Sequence, residues 1–143
     1  MSIRQLSVFV ENKPGRLAEI TETLAKAEVD IRAISVADTS DFGILRVIVD
    51  KPSEAVLALK EASMTVSLTD VIAVGIEDKP GSFSKSVRVL ADAGLTVEYM
   101  YAFISRDKGK AYIIIRIDDC ENAEKVLENN GVHILTENVI YNM

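Results

Sequence analysis

The sequence has 143 residues, which is enough for one ordinary domain or two very small ones. Hydrophobic residues make up 48% and charged residues 27%, so the chain can bury a core. The formal net charge of −6 disfavours nucleic acid and anionic membrane surfaces as partners, because both are bound through clustered Lys and Arg. No stretch approaches the roughly 18 apolar residues of a membrane span, and the N-terminus lacks a secretory leader pattern. With Cys120 as the sole cysteine, these features predict a cytoplasmic protein.

An internal repeat organises the chain. The segment Lys13-Pro14-Gly15 recurs 66 positions later as Lys79-Pro80-Gly81, and the residues around it recur with it. Beyond a loop near Gly109 the offset becomes 68, which a two-residue insertion in one hairpin explains. The matched pairs include Leu24 with Leu90, Leu59 with Leu127, and Val71-Ile72 with Val139-Ile140. We therefore predict two domains, residues 1–70 and 71–143, joined without a flexible linker.

The first copy contains six predicted elements. Residues 3–10 alternate as a strand, the Pro-Gly pair breaks it, and a helix follows over residues 15–28. Two β-branched runs at 31–37 and 44–49 flank turn residues 38–43 and predict a hairpin. A second helix begins at Ser53, and residues 65–68 close the copy as a strand. The apolar stripe of the first helix, which is predicted to face the sheet, consists of Leu17, Ile20, Thr21, Leu24 and Ala27.

The second copy repeats this series. Its predicted strands are 71–77, 96–104, 111–117 and 132–141, and its predicted helices are 81–93 and 121–129. The order β-α-β-β-α-β predicts an α+β fold of two tandem ferredoxin-like units, each an antiparallel sheet with both helices on one face. Residues 97–104 carry bulky side chains on both faces of their strand. We therefore expect the sheet face away from the helices to pack on the other copy or on another chain.

The two Pro-Gly segments are the most informative candidates for a binding site. Each places a short polar side chain, Asn12 or Asp78, and then Pro-Gly between a strand end and a helix start. A helix N-terminus exposes unpaired N–H groups and a partial positive charge, which favours a carboxylate. The neighbouring side-chain oxygen suits an ammonium group. The pattern therefore fits a zwitterionic amino acid, and the alternative is that Asn12 and Asp78 only cap a turn.

The chain has the series of a strand, the motif Asn/Asp-x-Pro-Gly, a helix, and a second strand that opens on Gly/Val-x-Ile. This series resembles the ACT domain family, and the resemblance covers the chain twice. It implies regulatory binding of a free amino acid between paired ACT units, where the loop of one unit faces the second strand of its partner. It also implies a homo-oligomer or a regulated enzyme as partner, although this chain has no room for an attached enzyme. The implied ligand-binding residues are Asn12, Lys13, Pro14, Gly15, Arg16, Leu17, Asp30, Ile31, Asp78, Lys79, Pro80, Gly81, Ser82, Phe83, Thr96 and Val97.

Two pairings of the polar positions are open. If each site draws both residues from one copy, Asn12 joins Asp30 and Asp78 joins Thr96, so each site holds one carboxylate. If the copies exchange, as the resemblance implies, Asn12 joins Thr96 and Asp78 joins Asp30. One site is then neutral and the other doubly acidic, and the acidic site should favour a basic amino acid through Coulomb attraction.

Other chemistries fit the sequence poorly. His133 has no recognisable nucleophile or base beside it in the sequence, and one His with Cys120 cannot supply the several soft ligands that a transition metal needs. The Lys-Pro-Gly segments lack the remaining glycines of a phosphate loop, and the acidic chain lacks the basic surface of RNA-recognition modules with this topology. We therefore expect a sensor without catalysis, metal or cofactor. The alternative is an interaction module whose paired sheets bind another protein.

Overall fold

The computed structural model describes residues 3–38, 41–103 and 107–143, and its elements confirm the predicted fold class. Thr39 and Ser40 of the predicted turn, and Ile104 at the end of a predicted strand, lie outside the described residues. The strands are β1 (Ile3–Glu11), β2 (Ile31–Asp38), β3 (Phe42–Val49), β4 (Val66–Glu77), β5 (Val97–Phe103), β6 (Lys110–Ile117) and β7 (His133–Leu135). The helices are α1 (Arg16–Lys26), α2 (Pro52–Glu61), α3 (Ser82–Asp92), α4 (Cys120–Asn129) and α5 (Glu137–Tyr141).

The predicted strand over residues 132–141 is wrong beyond Leu135, where the chain turns into α5. Thr136 begins this helix, because its Oγ1 accepts a hydrogen bond from the Val139 N–H at 3.3 Å and its carbonyl accepts one from the Ile140 N–H at 3.1 Å. The sequence match between Val139-Ile140 and Val71-Ile72 was misleading, since one pair lies in a helix and the other in a strand.

The predicted strands 65–68 and 71–77 form one strand, β4, and the chain divides into two compact units within it. Arg4–Thr69 forms the first repeat and Asp70–Tyr141 the second. The strand order is β2-β3-β1-β4 in the first repeat and β5-β6-β4-β7 in the second. The registered pairs are antiparallel, as a split βαβ unit requires. Among the described helices, none is long and apolar enough to cross a membrane.

Each repeat packs a hydrophobic core between its sheet and its helices. The core positions shared by the two repeats are Leu6/Ile72, Val8/Val74, Leu24/Leu90, Leu45/Ile113, Val47/Ile115, Val49/Ile117, Ala55/Ala123 and Leu59/Leu127. A fully buried leucine side chain contributes roughly 2 kcal/mol to folding. Among the remaining positions of the first core, Ile20 of α1 is the one with a polar counterpart, because Ser86 takes its place in α3.

Candidate ligand site at the Pro-Gly loops

The Pro-Gly segment of the first repeat forms a type II β-turn in front of α1. The Lys13 carbonyl accepts a hydrogen bond from the Arg16 N–H at 3.3 Å, and Gly15 has φ 89° and ψ −14°. Proline in the second position and glycine in the third are typical of this turn, because the third residue needs a positive φ. Pro14 therefore shapes the turn. The helix predicted over residues 15–28 begins at Arg16, one residue after the turn.

The second repeat has the same turn in front of α3. The Ser82 N–H donates to the Lys79 carbonyl at 3.3 Å, and Gly81 has φ 90° and ψ −18°. A Cβ at Gly15 or Gly81 would meet no atom within 4 Å, so the backbone conformation and not crowding requires glycine. Within the described residues, no side chain caps either helix. The first-turn N–H groups beyond Arg16 and Ser82 are therefore placed to donate hydrogen bonds to an anion.

An ion pair between glutamate and lysine flanks each turn. Lys13 Nζ lies 3.1 Å from Glu11 Oε2, and Lys79 Nζ lies 2.6 Å from Glu77 Oε2. The hydrogen bond and charge of the lysine hold the pKa of each glutamate below the ordinary value of 4.5. Glu77 in turn raises the pKa of Lys79. Each loop thus presents a carboxylate and an ammonium group side by side.

Asn12 and Asp78 anchor the loops through their backbones. The Asn12 N–H donates to the Asp41 carbonyl at 3.1 Å, and the Asp78 N–H donates to the Gly109 carbonyl at 2.8 Å. Both residues are exposed at the end of the sheet where the first strand of their repeat stops. Among the described residues, no ion pair involves Asp78, so its carboxylate is available to a ligand cation.

The second-strand positions of the predicted site lie at the opposite end of the sheet. Across β3, the end of β1 pairs with Phe42 and the start of β2 pairs with Val49. Seven residues of strand, or about 23 Å, therefore separate Glu11 from Ile31, and Asn12 and Asp30 lie one residue further out at either end. The second repeat has the same arrangement. The pairing that draws both residues of a site from one copy is therefore wrong.

The structure changes the expected surroundings of two predicted site residues, Asp30 and Leu17. Arg32 Nη1 donates to Asp30 Oδ2 at 2.6 Å, so a cation already offsets this carboxylate. Leu17 was predicted to face the sheet, but it is 43% exposed, as is its counterpart Phe83 at 42%. The buried stripe of α1 begins one turn later, at Ile20 and Leu24. The two loops thus present an apolar side chain beside their polar groups.

Beside each loop lies a groove of about 330 Å³ that the sequence analysis missed. We name these the first groove and the second groove after their repeats. The first groove is lined by residues that include Arg16, Glu19, Ile20, Phe42, Met64 and Thr65. Their counterparts in the second groove are Ser82, Lys85, Ser86, Lys110, Val132 and His133. A position-by-position comparison of the two repeats would have revealed the second groove, because Ser86 and Lys110 there replace the apolar Ile20 and Phe42.

His133 and Cys120 both contact neighbouring backbone. His133 is exposed in β7 and pairs with Gly75 of β4. The Cys120 thiol donates to the Ile117 carbonyl at 3.3 Å, and burial raises the pKa of the thiol. Within the described part of the chain, no group of three or more His, Cys, Asp or Glu side chains could hold a metal ion.

The comparisons with known proteins agree with this fold. The ACT domain pair family matches residues 1–143. Protein BT0572 from Bacteroides thetaiotaomicron is 38% identical, with a TM-score of 0.94 over 100% of this chain and 98% of that one. The ligand-free regulatory subunit of aspartate kinase from Thermus thermophilus is 19% identical, with a TM-score of 0.66 over 90% of this chain and 92% of that one. The corresponding subunit from Thermus flavus is 18% identical, with a TM-score of 0.62 over 88% and 90%. None of the functionally curated proteins matches the chain.

The chain therefore belongs to the ACT domain pair family, and its two repeats are ACT units. The resemblance given by the Asn/Asp-x-Pro-Gly segments is confirmed over the whole chain. In general terms, this family membership assigns the chain a regulatory role based on binding a small molecule.

Proposed function

We propose that the protein is a non-catalytic cytoplasmic sensor that binds a free amino acid at the interface between two ACT units. The observation that carries this proposal is the duplicated loop. Each loop combines an exposed lysine, an exposed glutamate and the uncapped start of a helix. The helix start and the lysine are receptors for a carboxylate, and the glutamate with Asn12 or Asp78 is a receptor for an ammonium group.

Two ACT units are needed because the strand register separates the loop from the second strand of its own repeat. In the proposed arrangement the Asp78 loop faces Asp30 and Ile31 of a partner unit, and the Asn12 loop faces Thr96 and Val97. Arg32 neutralises much of the charge of Asp30, so Asp78 is the main cation receptor of the acidic site. The partner unit belongs to this chain or to a second copy of it.

The competing function is an interaction module without a small ligand. Phe9 and Phe42 favour it, because their rings lie 5.0 Å apart and are 51% and 44% exposed. An exposed aromatic pair of this kind suits a protein partner. A ligand screen distinguishes the two functions.

The screen is a thermal unfolding scan of the whole chain with each of the twenty amino acids at millimolar concentration. A ligand at about 100 times its dissociation constant stabilises the native state by roughly 2.7 kcal/mol, which shifts the melting temperature measurably. We expect one amino acid, or one chemical class, to stabilise the protein. If none does, the sensor proposal is wrong and the interaction module is favoured.

Calorimetric titration of loop variants then locates the site. Asp78→Asn converts the second loop to the residue of the first, and Asn12→Asp makes the reverse change. We expect Asp78→Asn to weaken binding at the tighter site and Asn12→Asp to strengthen the other site, with both effects smaller at high salt. Asp92→Asn in the last turn of α3 is the matched control, since it removes the same charge far from the loop. Equal effects of Asp78→Asn and Asp92→Asn would contradict a site at the loops.

A further inference from the structure

The second groove differs from the first groove in charge. Lys79, Lys85 and Lys110 line it together with one acidic residue, Glu77, which leaves two net positive charges. In the first groove, Arg16 faces Glu11 and Glu19, which leaves one net negative charge. The local positive charge of the second groove contrasts with the net charge of −6 of the whole chain.

The charges of the three lysines all reach one carboxylate, that of Glu77. Lys79 lowers the pKa of Glu77 most, and Lys110 and Lys85 lower it as well. Lys110 lies directly across the ladder from Glu77, where the first repeat has Phe42 across from Glu11. Glu77 pairs with Lys79 at 2.6 Å. Lys85 and Lys110 are therefore the positive charges that a ligand in the second groove would neutralise.

Hydroxyl groups line the same groove. Ser82, Lys85 and Ser86 lie three and four residues apart in α3, so they share one face of the helix. Ser86 is only 5% exposed, at the position where Ile20 fills the first core, and its Oγ donates to the Ser82 carbonyl over a long 3.4 Å. A buried hydroxyl in place of an isoleucine gives up apolar packing, and its single O–H can turn from this long bond to donate to an anion in the groove.

The geometry points to a second ligand site: the second groove binds a small dianion, a phosphate group or a dicarboxylate, through Lys85, Lys110 and the hydroxyls of Ser82 and Ser86. Lysine ammonium groups and hydroxyls are common donors to such oxyanions, and a volume of about 330 Å³ accommodates a small metabolite. This inference goes beyond the proposed sensor site, because the second groove lies within one repeat and Lys85, Ser86 and Lys110 are outside the loop.

The test is calorimetric titration of the whole chain with three probes at low salt and about pH 7.5, where phosphate is mainly a dianion. The probes are inorganic phosphate, glycerol phosphate and succinate. We expect saturable binding by at least one of them. Binding of both phosphate probes identifies a phosphate site, and binding of succinate identifies a dicarboxylate site.

Variants place the binding in the groove. Lys85→Gln and Lys110→Gln should each lower the affinity for the anion by about five- to tenfold, as expected for loss of one ion pair at a partly exposed site. Ser86→Ile, which installs the residue of the first repeat, should abolish binding while the protein remains folded by circular dichroism. Lys26→Gln, an equal charge change at the end of α1, is the control and should leave the affinity within twofold.

The inference is overturned if the wild type binds none of the three probes, or if Lys26→Gln weakens binding as much as Lys85→Gln. Its failure is separable from failure of the sensor proposal. Amino-acid binding without anion binding would refute the groove site alone. Anion binding that Lys85→Gln weakens, without any amino-acid binding, would refute the sensor site alone.

Discussion

The first and second grooves occupy the same place in two copies of one fold, yet their linings have opposite character. Two adjacent helix residues illustrate this: Glu19 and Ile20 in α1 correspond to Lys85 and Ser86 in α3. The core positions behind them carry the same residue types in both repeats, as with Leu24 and Leu90. Close packing constrains the core, whereas a groove wall can change as long as the fold keeps its stability.

Exchanging Ile20 and Ser86 has the largest effect on stability that we expect from this comparison. Ile20→Ser removes a buried side chain from the first core and adds a hydroxyl, so it should cost about 3 kcal/mol of unfolding free energy. Ser86→Ile should stabilise the second repeat by about 1 kcal/mol, because the groove has room for the larger side chain. Urea denaturation measures both effects.

A conservative variant controls this exchange. Ile20→Val keeps the position apolar and should cost about 1 kcal/mol. If Ile20→Ser cost no more than Ile20→Val, Ile20 would not be part of a tightly packed core. If Ser86→Ile were as destabilising as Ile20→Ser, the second groove would be a packed site and not an open one.

The fold could be predicted from the sequence because its signals are local and occur twice. The Lys-Pro-Gly turns, the apolar spacing of Leu24 and Leu90, and the β-branched runs each predicted an element that the structure contains. The C-terminal segment failed because Val139-Ile140 is equally compatible with a strand and a short helix, and Thr136 decided the outcome through a hydrogen bond. Such a contact depends on where the preceding strand stops.

The candidate site was less predictable. The loop residues were identified correctly as neighbours of a helix start, but their distance from Asp30 and Thr96 follows from strand register, which residue spacing alone does not fix. The ion pair between Arg32 and Asp30 likewise joins residues on one strand face that the sequence analysis did not consider together. The second groove was missed because its residues come from α3, β6 and the turn before β7.

Replacing the turn glycines should have a smaller effect that is equal in the two repeats. Gly15→Ala and Gly81→Ala should each cost about 1 kcal/mol, since alanine is strained at φ near 90° although its Cβ meets no atom. Gly15→Asn should cost less, because asparagine tolerates this conformation better. Urea denaturation again gives the values. A loss that Asn does not reduce, or one confined to a single repeat, would mean that something other than the turn conformation requires glycine.

The smallest expected difference between the repeats is electrostatic. Lys13 lowers the pKa of Glu11 and Lys79 lowers that of Glu77, in both cases first through a hydrogen bond, and only Glu77 has the further lysines of the second groove nearby. A carboxyl whose pKa is lowered on folding stabilises the native state above the ordinary value of 4.5 and loses that contribution as the pH falls through the lowered value. Because both glutamates are exposed, the contribution is modest and screened by salt.

Carboxyl resonances followed by NMR over an acid titration measure this difference residue by residue. Lys13→Gln should raise the pKa of Glu11 and leave that of Glu77 unchanged, whereas Lys79→Gln should do the reverse. Lys85→Gln should then raise the pKa of Glu77 by a smaller step, because Lys85 is the last of the groove lysines in its influence on this carboxyl. Raising the salt concentration should shrink that step more than the step produced by Lys79→Gln, since a direct hydrogen bond is screened less than a charge acting across solvent. If Lys85→Gln leaves the pKa of Glu77 unchanged at low salt, Lys85 does not act electrostatically on this carboxyl together with the other groove lysines. The two grooves would then differ in shape and not in electrostatic potential.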